Sequence, residues 1–305
     1  MKKTILVAGA SGNLGFKIVK ALQNMDAETR VVVRSNTDLA KIKALELLGA
    51  KIYKVENWTV TELTKACTDV SCVVSSLAGL REVVIDAQKI LLDAAIEAGV
   101  PRFIPSDYSL DFTKFIHGEN RNLDLRREFH KYLDKAPIQS TSIFNGAFME
   151  LLTNEMPMIF LKPKLILYWG DAKRQLDFTT MDNTAEFTAR VALDSTSPRY
   201  LNVAGDQVSP REIKDLVTDL SKQKFRLFRP GGKWLLGQII KIARKLAPAE
   251  NELYPAWQGM QYMHNMIDER SKIEKLNNDR YPEIKWTSVR ELLRNYVVDS
   301  NTNKG

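Results

Sequence analysis

Residues 4–15 of the chain read Thr-Ile-Leu-Val-Ala-Gly-Ala-Ser-Gly-Asn-Leu-Gly. The first five are apolar or β-branched and predict a buried strand, and a helical pattern begins at Leu14. Between the two, Gly9 permits a tight turn, Gly12 lets the backbone approach a ligand, and Gly15 allows close packing of helix on strand. A glycine-rich loop that leads into a helix N-terminus is typical of a phosphate-binding turn, although a purely structural turn is the alternative.

Strands and helices continue to alternate over the first 145 residues. Nearly continuous apolar runs predict buried parallel strands at 4–8, 29–33, 51–55, 71–75, 102–104 and 139–144. Periodic apolar patterns predict helices at 14–24, 38–48 and 83–98, and a capping box from Thr59 to Glu62 opens another. Short links between these elements predict an α/β fold built on a doubly wound parallel Rossmann sheet.

The pattern loosens after residue 150, which suggests two parts. Residues 1–150 are predicted to form the dinucleotide-binding Rossmann domain. Residues 151–305 add further Rossmann elements over about 176–205 and a small, mixed substrate-binding lobe. Helices are predicted at 182–194, 210–221, 233–246 and 288–296, the second with a capping box at Ser209, and a strand at 199–203. The tail from residue 300 is expected to be disordered.

The choice of dinucleotide rests on Arg34, which ends the second predicted strand. An Asp or Glu at this point would bind the ribose hydroxyls of NAD, and no acid occurs before Asp38. A guanidinium suits a 2′-phosphate, so NADP(H) is predicted, with Lys41 assisting; a solvent-exposed arginine is the alternative. The predicted cofactor-binding residues are Gly9, Ser11, Gly12, Asn13, Leu14, Gly15, Arg34, Asn57, Leu77, Ala78 and Phe144.

Composition excludes several classes of protein. The chain has 305 residues, 44% of them hydrophobic and 27% charged, which is ordinary for a globular protein. Two cysteines, expected to be buried thiols, are too few for a disulfide framework, and three histidines without ligand spacing predict no metal site. The low cysteine content makes a reducing, cytoplasmic setting the expectation. No apolar run reaches the roughly 20 residues of a membrane span.

The net charge of +7 is concentrated in one segment, because residues 222–245 contain eight basic residues and no acid. Trp234 and neighbouring aliphatic residues give this segment an amphipathic pattern. It is suited to an anionic membrane surface or to nucleic acid, and a solvated basic face on a packed helix is the alternative. No nucleic-acid-binding motif accompanies it, so no nucleic-acid partner is expected.

Four motifs together resemble the NmrA-like and isoflavone-reductase-like atypical short-chain dehydrogenases. They are the loop 9–15, the strand end Val-Val-Val-Arg at 31–34, Ala-Gly-Val-Pro-Arg-Phe-Ile-Pro-Ser-Asp at 98–107 and Ile-Phe-Asn-Gly at 143–146. The resemblance covers about residues 1–220. It implies a Rossmann domain, a small C-terminal substrate lobe and a preference for NADP(H). Members include reductases of isoflavones, quinones and related aromatic compounds, and catalytically silent redox sensors that bind a regulatory partner.

The resemblance also directs attention to the missing catalytic dyad of ordinary short-chain dehydrogenases. Only Tyr281 and Lys285 have the Tyr-x-x-x-Lys spacing, and a proline lies between them. Isoflavone-reductase-like members place a lysine shortly before a position occupied here by Arg126 and Arg127. Asn122 stands where that lysine would align, and an amide can hydrogen-bond an oxygen but cannot replace an ammonium as proton donor.

The remaining candidates follow the ends of predicted strands. Tyr108, after the fifth strand, is the first candidate for proton donor or substrate-oxygen ligand, with packing of a loop aromatic on its neighbours as the alternative. Asn122 is the second reaction-site candidate. Phe144 is expected at the nicotinamide pocket, His130 on a solvated helix face and His117 in a loop. The aromatic, Met-rich stretch 254–266 suits either a lid over a flat substrate or a core stripe.

These features predict an NADP(H)-dependent oxidoreductase that reduces a carbonyl or conjugated double bond of a small, apolar, aromatic or quinone-like substrate. The alternative is a catalytically silent NADP(H)-sensing regulatory protein. The enzyme takes a small-molecule partner, with self-association left open, whereas the sensor requires a partner protein.

Overall fold

Six parallel strands form the main sheet of the computed structural model, which describes residues 2–153 and 158–302. In chain order they are β1 (Thr4–Ala8), β2 (Glu28–Arg34), β3 (Lys51–Val55), β4 (Cys72–Ser75), β5 (Arg102–Ile104) and β6 (Gln139–Ser140). Across the sheet the order is β3-β2-β1-β4-β5-β6. The winding therefore reverses between β1 and β4, which confirms the predicted doubly wound Rossmann sheet.

Ten α-helices occur in the described residues. They are α1 (Asn13–Asn24), α2 (Leu39–Leu47), α3 (Val60–Cys67), α4 (Gln88–Glu97), α5 (Arg121–Leu133), α6 (Met181–Leu193), α7 (Pro210–Ser221), α8 (Lys233–Leu246), α9 (Ala256–Met266) and α10 (Val289–Thr302). One apolar cluster packs α1, α2 and α6 on one face of the main sheet, and a second packs α3, α4 and α5 on the other. Burial of all five β1 residues explains the continuous apolar run in the sequence.

Eight short strands of the described ranges lie outside the main sheet. They are β7 (Ser142–Phe144), β8 (Ala147–Phe148), β9 (Ile159–Phe160), β10 (Leu165–Leu167), β11 (Leu176–Thr179), β12 (Tyr200–Asn202), β13 (Asp206–Val208) and β14 (Arg226–Phe228). They pair as β12-β7, β14-β10-β9 and β13-β11-β8. The strand predicted at 139–144 is therefore split at Thr141 into β6 and β7. A third apolar cluster fills the C-terminal part, whose boundary at residue 150 stays a prediction.

Two local predictions differ from the structure. The helix predicted at 83–98 begins as a π-helix, Glu82–Ala87, before α4. The buried Gln88 side chain sits at that junction, where it donates to the Val84 carbonyl at 2.9 Å and accepts from the Ser106 N–H at 2.9 Å. The box predicted at 59–62 is half formed, because the Glu62 carboxylate instead accepts from the Glu56 N–H at 2.9 Å.

Other predictions are settled at the C-terminal end. The stretch 254–266 contains α9, whose Trp257, Met263 and Met266 are buried, as a core stripe requires. The tail predicted to be disordered is helical as far as Thr302, and residues 303–305 lie outside the described ranges. Within those ranges no helix combines the length and the apolar content needed to cross a bilayer.

Both cysteines are free thiols in the interior, as predicted. Burial raises the pKa of Cys67 and of Cys72 to about 12. Neither side chain therefore supplies a thiolate at neutral pH, and neither is a candidate nucleophile. The described residues also contain no group of three or more His, Cys, Asp or Glu side chains that could hold a metal ion.

Candidate functional site

The loop after β1 is so tight that two of its glycines admit no side chain. Gly9 has a φ of +82°, and a Cβ at this position would lie 2.7 Å from the carbonyl oxygen of Ser76. A Cβ on Gly15 would lie 2.3 Å from the carbonyl oxygen of Gly9. The turn, and the close packing of α1 on β1, therefore require glycine at both positions.

Gly12 is in a different situation, because the space beside it is open. A Cβ there would meet only the Gly9 carbonyl oxygen, at 3.4 Å. Gly12 is the N-cap of α1, no side chain caps this helix, and its first turn contains no acid. The N–H groups of that turn and the positive end of the helix dipole are therefore available to an anion. This geometry fits a pyrophosphate.

A cavity of about 340 Å³ adjoins this helix N-terminus and carries positive charge. Lys17 in its wall is paired with Asp182 at 2.6 Å, whereas Lys20 and Lys41 have no acidic partner among the described residues. Unpaired ammonium groups favour a phosphate-bearing ligand. The cavity is lined by Ser11, Gly12, Asn13, Phe16, Lys17, Lys20, Lys41, Ala44 and Asp182.

The end of β2 carries an exposed cation beside an aromatic ring. The guanidinium carbon of Arg34 lies 5.7 Å from the centroid of the Trp58 ring, and the indole N–H of Trp58 donates to the π-helix backbone at 2.8 Å. Asp38 accepts from a backbone N–H at the start of α2, at 2.8 Å, so its carboxylate is already used as a helix cap. Nearby, Asn57 donates to Glu62 at 3.5 Å. Because the guanidinium has no acidic partner among the described residues, it suits the 2′-phosphate of NADP(H) better than the unphosphorylated ribose of NAD.

The segment after β4 lies directly against the glycine-rich loop. Ser76 donates to the Ala8 carbonyl both from its N–H and from its Oγ, each at 2.9 Å. The Ser106 hydroxyl donates to the Leu77 carbonyl at 2.7 Å. The structure therefore brings Leu77 and Ala78 next to the loop residues 9–15, at the carboxyl edge of the main sheet.

Tyr108 is buried within the apolar cluster that includes α1 and α6, with 7% of its surface exposed. Thr188 of α6 lies beside its hydroxyl, and burial raises the pKa of Tyr108. The hydroxyl therefore stays protonated at neutral pH, but it points into the core. Its role as a proton donor stays a prediction, and a substrate reaches this group only if the ring leaves the cluster.

Asn122 is buried at the start of α5, and both ends of its amide are hydrogen-bonded. Its Oδ1 accepts from Arg121 Nε at 3.0 Å, and its Nδ2 donates to the Leu253 carbonyl at 3.0 Å. Arg121 also donates to the backbone carbonyls of Glu252 and Leu253, at 2.9 Å each. These bonds fasten α5 to the segment before α9. The reaction-site role of Asn122 stays a prediction.

The central residue of this contact, Asn120, was not predicted. As N-cap of α5 it accepts from the Leu123 N–H at 3.2 Å and from Gln258 Nε2 at 2.8 Å, and it donates to Asn265 Oδ1 at 3.0 Å. An asparagine before a helix indicates a cap. No pattern in the sequence indicates that its other partners lie on α9.

A buried contact between His130 and Asp107 holds the loop after β5. His130 Nε2 lies 2.7 Å from Asp107 Oδ2, and Arg199 donates to the nearby Ser142 hydroxyl at 2.6 Å. Burial by itself raises the pKa of Asp107, but the charge and hydrogen bond of His130 hold it below its ordinary value. The prediction of a solvated His130 is wrong because this partner draws it inside. His117 is exposed.

The end of β7 places an aromatic residue and an amide side by side. Phe144 is 1% exposed, with its ring 5.8 Å from Tyr200 and 5.3 Å from Phe112, so it packs as a core residue. Asn145 is fully buried, and neither side-chain amide atom bonds to a described residue. An unpartnered amide at the carboxyl end of a strand is a position where a bound ligand or water completes the hydrogen bonding.

Comparison with known proteins gives relatives over nearly the whole chain. The profile of the NmrA-like family matches residues 1–293. A bifunctional pinoresinol-lariciresinol reductase of Forsythia intermedia is 27% identical, over 97% of this chain and 99% of the relative. Pinoresinol reductase 2 of Arabidopsis thaliana is 29% identical, over 97% of this chain and 98% of the relative.

Solved structures share the fold. A structure of AtPrR2 with NADP+ and (+)pinoresinol has a TM-score of 0.83 at 22% identity, over 97% of this chain and 99% of that chain. A crystal structure of isoflavone reductase has a TM-score of 0.82 at 18% identity, over 97% of this chain and 100% of that chain. With the family profile covering almost every residue, the chain belongs to the NmrA-like family.

Proposed function

We propose that the chain is an NADPH-dependent reductase that acts on a carbonyl or conjugated double bond of a small, apolar, aromatic or quinone-like substrate. The observation that carries the proposal is the guanidinium of Arg34, which no described acid neutralises, on the same sheet edge as the uncapped N-terminus of α1. The curated relatives, which are named as pinoresinol and lariciresinol reductases, support an aromatic substrate.

Residues of this chain would hold the cofactor along the carboxyl edge of the main sheet. The first-turn N–H groups at Asn13 and Leu14 bind the pyrophosphate, Gly12 leaves space for it to approach, and Arg34 binds the 2′-phosphate through charge-assisted hydrogen bonds. Trp58 fixes the plane of that guanidinium through a cation–π contact. When bound, the reduced nicotinamide supplies the hydride.

The nicotinamide end lies between the loop after β5 and the end of β7. Leu77 and Ala78 form one side, and the amide of Asn145 is free to bond the carboxamide or a substrate oxygen. The Asp107–His130 pair holds the loop in place. The burial of the Tyr108 hydroxyl argues against direct proton donation, which Tyr108→Phe tests, and the bonding of Asn122 supports a role in positioning α5.

Calorimetric titration with NADPH and with NADH tests the cofactor assignment. We expect NADPH to bind at least about tenfold more tightly, because only NADPH carries the 2′-phosphate. NADPH oxidation is then followed with a panel of quinones, enones and pinoresinol against a control without enzyme. Tight binding without oxidation across the panel favours a silent NADPH-sensing protein with a partner protein. If neither dinucleotide binds, both the reductase and the silent sensor are refuted.

The proposed setting is the cytoplasm. Two free, buried thiols suit a reducing compartment. Measuring the distribution of the protein between cell fractions tests this setting, and recovery in an oxidising compartment contradicts it.

A further inference from the structure

The outer face of α8 is apolar, exposed and covered by no other described element. Leu235, Ile242 and Leu246 follow one another at intervals of seven and four residues, which places them in one stripe along the helix. Ile242 is 58% exposed, Leu246 79%, and the bordering Trp234 75%. Exposed apolar side chains grouped in this way indicate an interaction site.

A second stripe beside the first carries positive charge. Lys241 and Lys245 continue the line that begins at Trp234, with the same intervals of seven and four residues. Neither lysine pairs with a described acid, whereas Arg244 on the same helix is bonded to Glu250 at 2.9 Å. The apolar stripe is therefore flanked by two cations, Lys241 and Lys245, that no described acid neutralises.

The opposite face of α8 is firmly seated on the protein. Leu236 and Ile240 are buried in the C-terminal apolar cluster, which also contains Met263 and Met266 of α9. A Cβ on Gly237 would lie 3.5 Å from the ring of His264, so α8 packs closely on α9. The helix is therefore a preformed rod, about 21 Å long, whose outer face is free to meet a flat surface.

We propose that α8 docks the protein on an anionic lipid bilayer. Leu235, Ile242 and Leu246 enter the boundary between headgroups and acyl chains, while Lys241 and Lys245 contact lipid phosphates. The charge of the face is complementary to that surface. The inference does not depend on the proposed reductase activity, because it rests on a different face of the C-terminal part.

Two other occupants fit this face less well. A second copy of the chain, related by a two-fold axis through the stripe, would bring the same lysines of both copies together. Nucleic acid could contact Trp234, Lys241 and Lys245, but it would leave the aliphatic stripe of Leu235, Ile242 and Leu246 without an apolar partner.

Flotation of the full chain with lipid vesicles tests the proposal. Vesicles of phosphatidylcholine alone are compared with vesicles in which one third of the lipid is phosphatidylglycerol. We expect association with the anionic vesicles only, reduced at least about fivefold by Lys241→Glu or by Lys245→Glu. Ile242→Glu should abolish it. Leu47→Glu, which makes the same kind of change on the exposed side of α2, is the matched control and should leave association unchanged.

Circular dichroism and the thermal unfolding midpoint confirm that each variant folds, which is expected because the substituted side chains are exposed. The proposal is overturned if the wild-type chain associates with neither kind of vesicle, or if it associates equally with both. It is also overturned if Ile242→Glu and Leu47→Glu show the same vesicle association. A concentration-dependent dimer that Ile242→Glu dissolves, with no vesicle binding, overturns it in favour of a second copy.

Discussion

Glycines in the same loop are required for different reasons. At Gly9 and Gly15 the space for a side chain is already taken by backbone atoms of the protein, so the fold itself requires glycine at these positions. At Gly12 the protein leaves the space open, so the absence of a side chain serves something outside the chain. The second kind of glycine, at an uncapped helix N-terminus, is the stronger evidence for a ligand.

Arg34 is the residue on which the choice of dinucleotide depends. Arg34→Ala should weaken NADPH binding by about 1.5–3 kcal/mol, or roughly ten- to 150-fold, since one charge-assisted contact is lost. NADH binding should not change. Calorimetry measures both affinities. Arg226→Ala, on an exposed strand of the C-terminal part, is the matched control; an NADPH affinity that Arg34→Ala leaves unchanged refutes the 2′-phosphate role.

Tyr108 tests whether the proton comes from the loop after β5. Tyr108→Phe removes only the hydroxyl, and the burial of this group leads us to expect turnover within about twofold of wild type. Steady-state kinetics with NADPH and a reducible quinone give the answer, with the exposed Tyr132→Phe as control. A fall of about a hundredfold in kcat, with NADPH affinity unchanged, would show instead that Tyr108 is the donor.

At the scale of elements, strands and cofactor-side helices are predictable because their signals are local. The continuous burial of β1 and the complete capping box at Ser209 both lie within a few residues of the element that they define. The π-helix Glu82–Ala87 is not predictable in this way. Its end is fixed by Gln88, which binds Ser106 from a different βα unit.

The start of α5 makes a prediction about element packing. Asn120→Ala removes the helix cap and also leaves Gln258 and Asn265 of α9 without their partner. We expect the free energy of unfolding to fall by about 2–4 kcal/mol, more than a cap alone contributes. Urea unfolding measures it. Asp38→Ala, which removes only the exposed cap of α2, should cost about 1 kcal/mol, and equal losses would contradict the proposed link.

At the scale of the whole molecule, the sequence predicts one side of the candidate site much better than the other. The proposed cofactor side consists of loops that follow predicted strands, so its candidate residues can be proposed from the sequence. The other side depends on residues far apart in the chain, such as Asn120 and Asn265, which are 145 positions apart. Asp107 and His130 form a buried pair for the same kind of reason, and neither position alone signals the other.

Charge joins the two parts of the molecule around Asp268. The Asp268 carboxylate accepts a hydrogen bond from Arg270 Nε at 2.9 Å and forms an ion pair with Lys233 at the start of α8. Arg270 also donates to the carboxylate of Glu119, just before α5, at 2.8 Å. The bond from Arg270, with that from Lys233, holds the pKa of Asp268 well below its ordinary value. The Asp268 carboxylate therefore contributes its full stabilisation at any pH above the pKa that aspartate has in the unfolded chain. This contribution is lost as the pH falls from that value through the lower pKa of the folded state.

Asp268→Asn should consequently lower the free energy of unfolding by about 1.5–3 kcal/mol at neutral pH. The difference between variant and wild type should shrink as pH falls below about 4, where the wild-type carboxylate begins to lose its advantage. Urea unfolding over a pH series measures the difference. Asp93→Asn, at an exposed aspartate on α4, is the matched control. A gap for Asp268→Asn that stays constant down to pH 3 would mean that this contact stabilises the fold by packing and not by charge.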